Sequence, residues 1–173
     1  MRRLAFILPV FVAGWLATGA QAAGDGSLVV KNGAAPFSAG VTTSADDTPV
    51  VSLRITGSVI GHVYDAGRII IDAGANCDSD PQVVGAGRPL AVKQSDTAQK
   101  WVGTDFTFRA VGCTFTVVVW GSRVNLVAAG QGTVRLAGMP DTPTGDGKYS
   151  LNNGDFKSLP GTQTAKLTVG DGS

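Results

Sequence analysis

Between Cys113 and Gly138 the chain reads CTFTVVVWGSRVNLVAAGQGTVRLAG, and apolar residues recur there at every second position. A period of two is the signature of a strand with one buried face, and it leaves little room for a helix. Extending the register back to Thr104 puts Phe106, Phe108 and Ala110 on one face. A turn at Val111-Gly112 would pair Ala110 with Cys113 and Phe108 with Phe115. A second turn at Gly121-Ser122 would pair Val119 with Val124, and a loop at Gly130-Gln131-Gly132 would pair Ala128 with Val134. Each turn keeps the apolar set on one face, so the expectation is a four-stranded antiparallel meander. Its other, wet face carries Thr107, Arg109, Thr114, Thr116, Arg123, Asn125 and Arg135.

The rest of the chain points the same way. All 13 acidic residues are Asp and none is Glu, and 24 glycines accompany abundant Val and Thr. Glu favours helices, whereas Asp and Gly favour turns, so an all-β domain is expected. SLVVK (27–31), VVSLRIT (50–56), SVIGHVY (58–64) and RIIID (68–72) read as strands, broken at Gly57 and at Asp65–Gly67. A hairpin turning at Asn153-Gly154 and a last strand near Thr164–Val169 follow. About ten strands in one domain suggest an antiparallel two-sheet sandwich or a flattened barrel containing the meander.

The chain opens MRRLAFILPVFVAGWLATGAQAAGDGS. Arg2 and Arg3, an apolar run from Leu4 to Leu16, and the small residues of Ala20-Gln21-Ala22 have the form of a signal peptide over residues 1–22. The single domain is then 23–173, and stable membrane insertion after processing is not expected. Without Arg2 and Arg3, 12 basic residues face 13 acids, a net charge of −1, with the bases spread along the sequence. That balance argues against nucleic acid as a partner. Cys77 and Cys113 are the only cysteines, and in an oxidising compartment they form one disulfide. The bond should contribute roughly 3–4 kcal/mol by restricting the unfolded chain.

Chemistry is harder to find. The single His62 shares a strand face with Ile60 and Tyr64 and reads as a structural strand histidine. No nucleophile elbow, phosphate loop or metalloprotease motif is present, so a noncatalytic role is expected. The loop AGANCDSDPQVVGAGRP (73–89) holds Asn76, Asp78 and Asp80 and follows Asp72. These oxygen donors at alternate positions are a candidate calcium site, or a pair of carboxylates acting as acids, set against a plain solvated turn. Trp120 on the wet face opposite Arg123, with Trp101, is a candidate ligand-stacking surface; a local cation–π pair of Trp120 with Arg123 is the plainer reading. An unpaired edge at Ser27–Lys31 would offer a route to self-assembly.

GTDFTFRAVGCTFTVVVWGSRVNLVAAGQGTVRLAG, GDGKYSLNNGDFKSLP and GSVIGHVYDAGRIIID together resemble a group of uncharacterised exported bacterial all-β proteins. In that group a G-T-D start leads into a Phe-rich hairpin, a Gly-rich strand pair and a Y-S-x-N-G ending. The resemblance implies an exported all-β domain and brings no activity with it. Taken together, the residues describe an exported domain, secreted, periplasmic or attached to the cell envelope. It is expected to act as a binding or structural module meeting an envelope polymer or protein. The alternative is a calcium-dependent carbohydrate-binding or carbohydrate-active protein. No cofactor is expected beyond that calcium.

Overall fold

Alternation in this chain continues through its glycines instead of stopping at them. A computed structural model describes residues 25–38, 44, 46–74, 77, 79–85, 90–139, 147–161, 164 and 166–170; the expected signal peptide lies outside the described residues. Among the described residues nine strands form: β1 (Gly26–Gly33), β2 (Val51–Asp72), β3 (Gln82–Gly85), β4 (Leu90–Lys93), β5 (Ala98–Gly121), β6 (Val124–Leu136), β7 (Lys148–Leu151), β8 (Lys157–Ser158) and β9 (Leu167–Val169). There is no helix among the described residues, and hence none long and apolar enough to cross a membrane. All pairing is antiparallel, in one open sheet ordered β3-β5-β2-β6-β1-β7-β8, with β4 added to β5 and β9 to β6.

Two strands dominate, β2 with 22 residues and β5 with 24. They form one long ladder, from Val51 opposite Val119 to Asp72 opposite Ala98. This ribbon coils back on itself. The end of β5 pairs a second time with the end of β2, Gly121 with Gly67 and Thr116 with Asp72. Residues of the far half (Ile69, Ile71, Trp101) therefore share one buried cluster with Leu28, Val30 and Leu126 of the near half.

The meander is not there. β2 lies between β5 and β6, which do not pair with each other. Val111-Gly112 is a β-bulge inside β5: Gly57 faces Cys113 while Ser58 faces Val111, and Gly112, at φ 90°, is the extra residue. One extra residue moves the apolar set from even to odd positions just as a two-residue turn would. The turn was also the poorer choice, because the hairpin turns demand a positive φ at the position Val111 would have filled.

The expected breaks at Gly57, Asp65–Gly67 and Gly130–Gly132 likewise lie within continuous strands. Gly57 and Gly130 face each other in the ladder with φ 148° and 136°. A Cβ on Gly57 would sit 2.2 Å from the Ala129 carbonyl oxygen, so the glycines permit close backbone approach. At Asp65 the chain bulges: Val63 faces Phe106, and the next pair is Ala66 with Thr104.

Two smaller expectations also change. The hairpin near the C-terminus turns at Asn152-Asn153, one residue early, with φ 51° and 59° and the Gly154 amide donating to the Leu151 carbonyl at 2.9 Å. Asn tolerates that left-handed conformation, so Gly154 is not needed in the turn. Ser27–Lys31 is not an edge, because β1 pairs with β6 on one side and β7 on the other. The Cys77–Cys113 disulfide forms as expected, with Cα atoms 5.0 Å apart, and ties the 73–81 connection to the sheet beside the Gly112 bulge.

Candidate functional site

Alternation along β2, β5 and β6 produces a buried inner face and an outer face made of cross-strand triplets. With β6, β2 and β5 in that order, these run Arg135–Ser52–Val118, Thr133–Arg54–Thr116, Gln131–Thr56–Thr114, Ala129–Ser58–Val111, Val127–Ile60–Arg109 and Asn125–His62–Thr107. The face divides in two. Toward the start of β2 it is hydroxylated and cationic, and toward the bulge at Asp65 it is aliphatic and aromatic, with the exposed Arg109 at its β5 side.

In the second half, Ile60 and Val127 stand directly opposite each other and are 52% and 53% exposed. Val29 of β1 is their neighbour through Val127. Beside this aliphatic row a groove of about 380 Å³ crosses the strands, walled on its other side by Asn125, His62 and Thr107. His62 Nε2 lies 2.8 Å from Asp105 Oδ1, and its ring stacks on Tyr64 with centroids 3.8 Å apart. Asp105 holds φ 48°, opposite the bulge. Arg123 closes this end. Its Nε and Nη2 donate to the two Asp65 oxygens at 2.9 and 2.6 Å, and its guanidinium lies 5.6 Å from the Tyr64 ring. That fork, helped by the Ser122 hydroxyl, lowers the Asp65 pKa, and Asp65 in turn raises that of Arg123. The Ser122 hydroxyl donates to Asp65 at 3.1 Å, so the serine of this rim is turned to the Asp65–Arg123 pair.

In the first half, Thr56 and Thr114 share a hydrogen bond at 2.5 Å and form, with Arg54, a ridge between two depressions. One, of about 450 Å³, reaches to Asp72, Gly74 and Cys113; the other, of about 280 Å³, reaches to Thr133 and Lys166. Cys113 of the disulfide borders the larger one.

The tryptophans are not where a stacking surface needs them. Trp120 does lie on the outer side, but it is 7% exposed, as is Trp101. Arg68, its cross-strand neighbour, lies 4.6 Å from the Trp120 ring, and Phe37 of the β1–β2 connection lies 5.9 Å from the same guanidinium. Asp47 completes the cover with an oxygen 2.7 Å from Arg68 Nη2. The cation–π partner of Trp120 is thus Arg68 and not Arg123. Sequence reasoning missed Arg68 and Asp47. The available signal was a lone arginine in the apolar run RIIID, which a buried strand accepts only with a partner.

In the acidic loop, Asp72 Oδ1 accepts from the Gly74 amide at 3.2 Å, and Asp80 borders a depression shared with Asp96. Asn76 and Asp78 lie outside the described residues. Among the described residues no three His, Cys, Asp or Glu side chains gather as a metal site would require.

Comparison with protein-family models, with curated proteins and with solved structures finds no match to this chain.

Proposed function

We propose that this chain is an exported, noncatalytic binding module of the cell exterior, akin to the exported bacterial all-β proteins its motifs resemble. Its contact surface is the outer face of β6, β2 and β5. The observation that carries this reading is the exposed Ile60–Val127 pair beside a groove with a polar far wall. A sheet that buries its inner face yet leaves two branched aliphatic side chains in water presents a surface suited to a partner. The disulfide is consistent with an oxidising location. The coiled ribbon is read as a two-layered sandwich, the layers being two halves of one open sheet. A shared core cluster supports that reading.

The test is retention of the disulfide-intact protein on isolated cell-wall material, with calcium and with chelator. Retention in both conditions, lost in an Ile60→Thr/Val127→Thr variant whose melt is unchanged, is the expected result. Retention that survives this variant would overturn the assignment of the face. Loss in chelator alone would move the site to Asp72, Asn76, Asp78 and Asp80 and support the calcium-dependent carbohydrate reading.

A further inference from the structure

Basic residues that are far apart in the sequence meet on the hydroxylated half of the outer face. Arg54 on β2 and Lys166 just before β9 border the same 280 Å³ depression, and Arg135 stands one row along on the neighbouring strand β6. From strand spacing and rise, the Arg54 and Arg135 Cα atoms are about 8 Å apart. All three are exposed, and among the described residues none of them forms an ion pair with a carboxylate. Asp72 borders the larger depression together with Arg54, across Thr116 from it, and accepts from the Gly74 amide. Like charges set side by side on a sheet oppose folding slightly, so an unneutralised cluster in a chain of nearly balanced charge invites an anion.

The surroundings narrow the anion's chemistry. Thr56, Thr114, Thr116 and Thr133 present hydroxyl groups in adjacent rows around Arg54. Threonine hydroxyls both donate and accept, which suits a partner dense in hydroxyl groups, while guanidinium and ammonium groups suit carboxylate or phosphate. The two depressions lie on either side of the Arg54 ridge and continue across the strands, so they accommodate more than one unit of a chain. Among the described residues the one aromatic residue bordering either depression is Phe115, and its side chain is buried in the core, so no exposed ring is offered there for base stacking.

We infer that the Arg54–Arg135–Lys166 face binds an anionic polysaccharide, one whose repeating units carry carboxylate or phosphodiester groups among free hydroxyls. This rests on the reading of the outer face as a binding surface and names its ligand class. Arg54 supplies the central charge contact, Lys166 and Arg135 extend it, and the threonines bond to sugar hydroxyls.

The experiment is affinity electrophoresis of the disulfide-intact protein through gels containing polygalacturonate, poly(glycerol phosphate) or neutral dextran. Wall retention is measured in parallel. Retardation by polygalacturonate is expected, weakening with salt and reduced at least tenfold in Arg54→Gln/Lys166→Gln, whose melting temperature should be unchanged or slightly higher. Retardation by poly(glycerol phosphate) with the same variant dependence would also support the inference and identify phosphate as the source of charge. Equal retardation by dextran, or full retardation of the double variant, would overturn it while leaving wall binding through Ile60 and Val127 intact. Stronger binding to a single-stranded DNA oligomer than to either glycan would overturn it as well. No retention on wall material or in any gel would remove both readings.

Discussion

Two arginine–aspartate pairs flank the coil of the β2–β5 ribbon, each resting on an aromatic ring, and they differ in almost everything else. Arg68 and Asp47 have side chains 0% and 1% exposed, whereas Arg123 and Asp65 are 61% and 42% exposed. The first pair closes the β1–β2 connection over Trp120; the second decorates the rim of the open face. Water therefore competes for one pair and not for the other. A buried charge that loses its partner is stranded in a poor solvent, while an exposed one is simply rehydrated. The first pair is a lock for the fold and the second a part of the surface.

The sharpest way to break this contrast is Asp47→Ala. It leaves the Arg68 guanidinium buried without its carboxylate and should lower the melting temperature by roughly 10 °C in a thermal melt followed by circular dichroism. A drop no larger than that of Arg123→Ala would show that the other contacts of Arg68, Trp120 among them, are enough to hold it. Trp120→Leu keeps the ion pair but removes the ring beneath it and part of the packed cover. A loss of roughly 5 °C is expected, with quenched tryptophan emission reporting the site.

Acid should separate the pairs next. The hydrogen bond from Arg68, followed by those from the Ser38 and Ser44 amides, holds the Asp47 carboxyl far below its ordinary value of 3.8. A carboxyl lowered on folding contributes stability that is complete above the unfolded value. That stability is lost as pH falls from there through the folded value. Denaturant midpoints should therefore fall below about pH 4, and Asp47→Asn, already less stable at neutral pH, should show a shallower fall. Asp65 is shifted in the same direction by Arg123, but its exposure means that Asp65→Asn should leave the acid profile close to that of the parent. The smallest effect is expected for Arg123→Ala, a change under about 2 °C that vanishes in high salt. A larger, salt-insensitive loss would mean that the Tyr64–Arg123 contact braces the Asp65 bulge.

Much of this arrangement was legible before the strands were placed. Alternation identified the inner residues Phe106, Phe108, Phe115 and Val117 correctly, and it put Trp120 on the opposite side from Phe115. It could not say that the β1–β2 connection folds over that side and buries the ring, because a face is local and its cover is not. Gly112 showed the same limit. A shift from even to odd apolar positions fits a turn and a bulge equally, and only pairing with β2 along its whole length selects the bulge. For the candidate site, the outward direction of Arg54, Arg135 and Lys166 is consistent with alternation, but the chain spreads them over more than a hundred positions.

The sequence by itself determined the all-β class, the inward set of side chains and the Cys77–Cys113 bond, since each depends on residue type and short-range period. The tertiary structure alone decided which strands are neighbours, that Trp101 and Trp120 are both covered and which cations meet. Those depend on long-range pairing, and a period of two specifies the side of a strand without specifying what lies beside it.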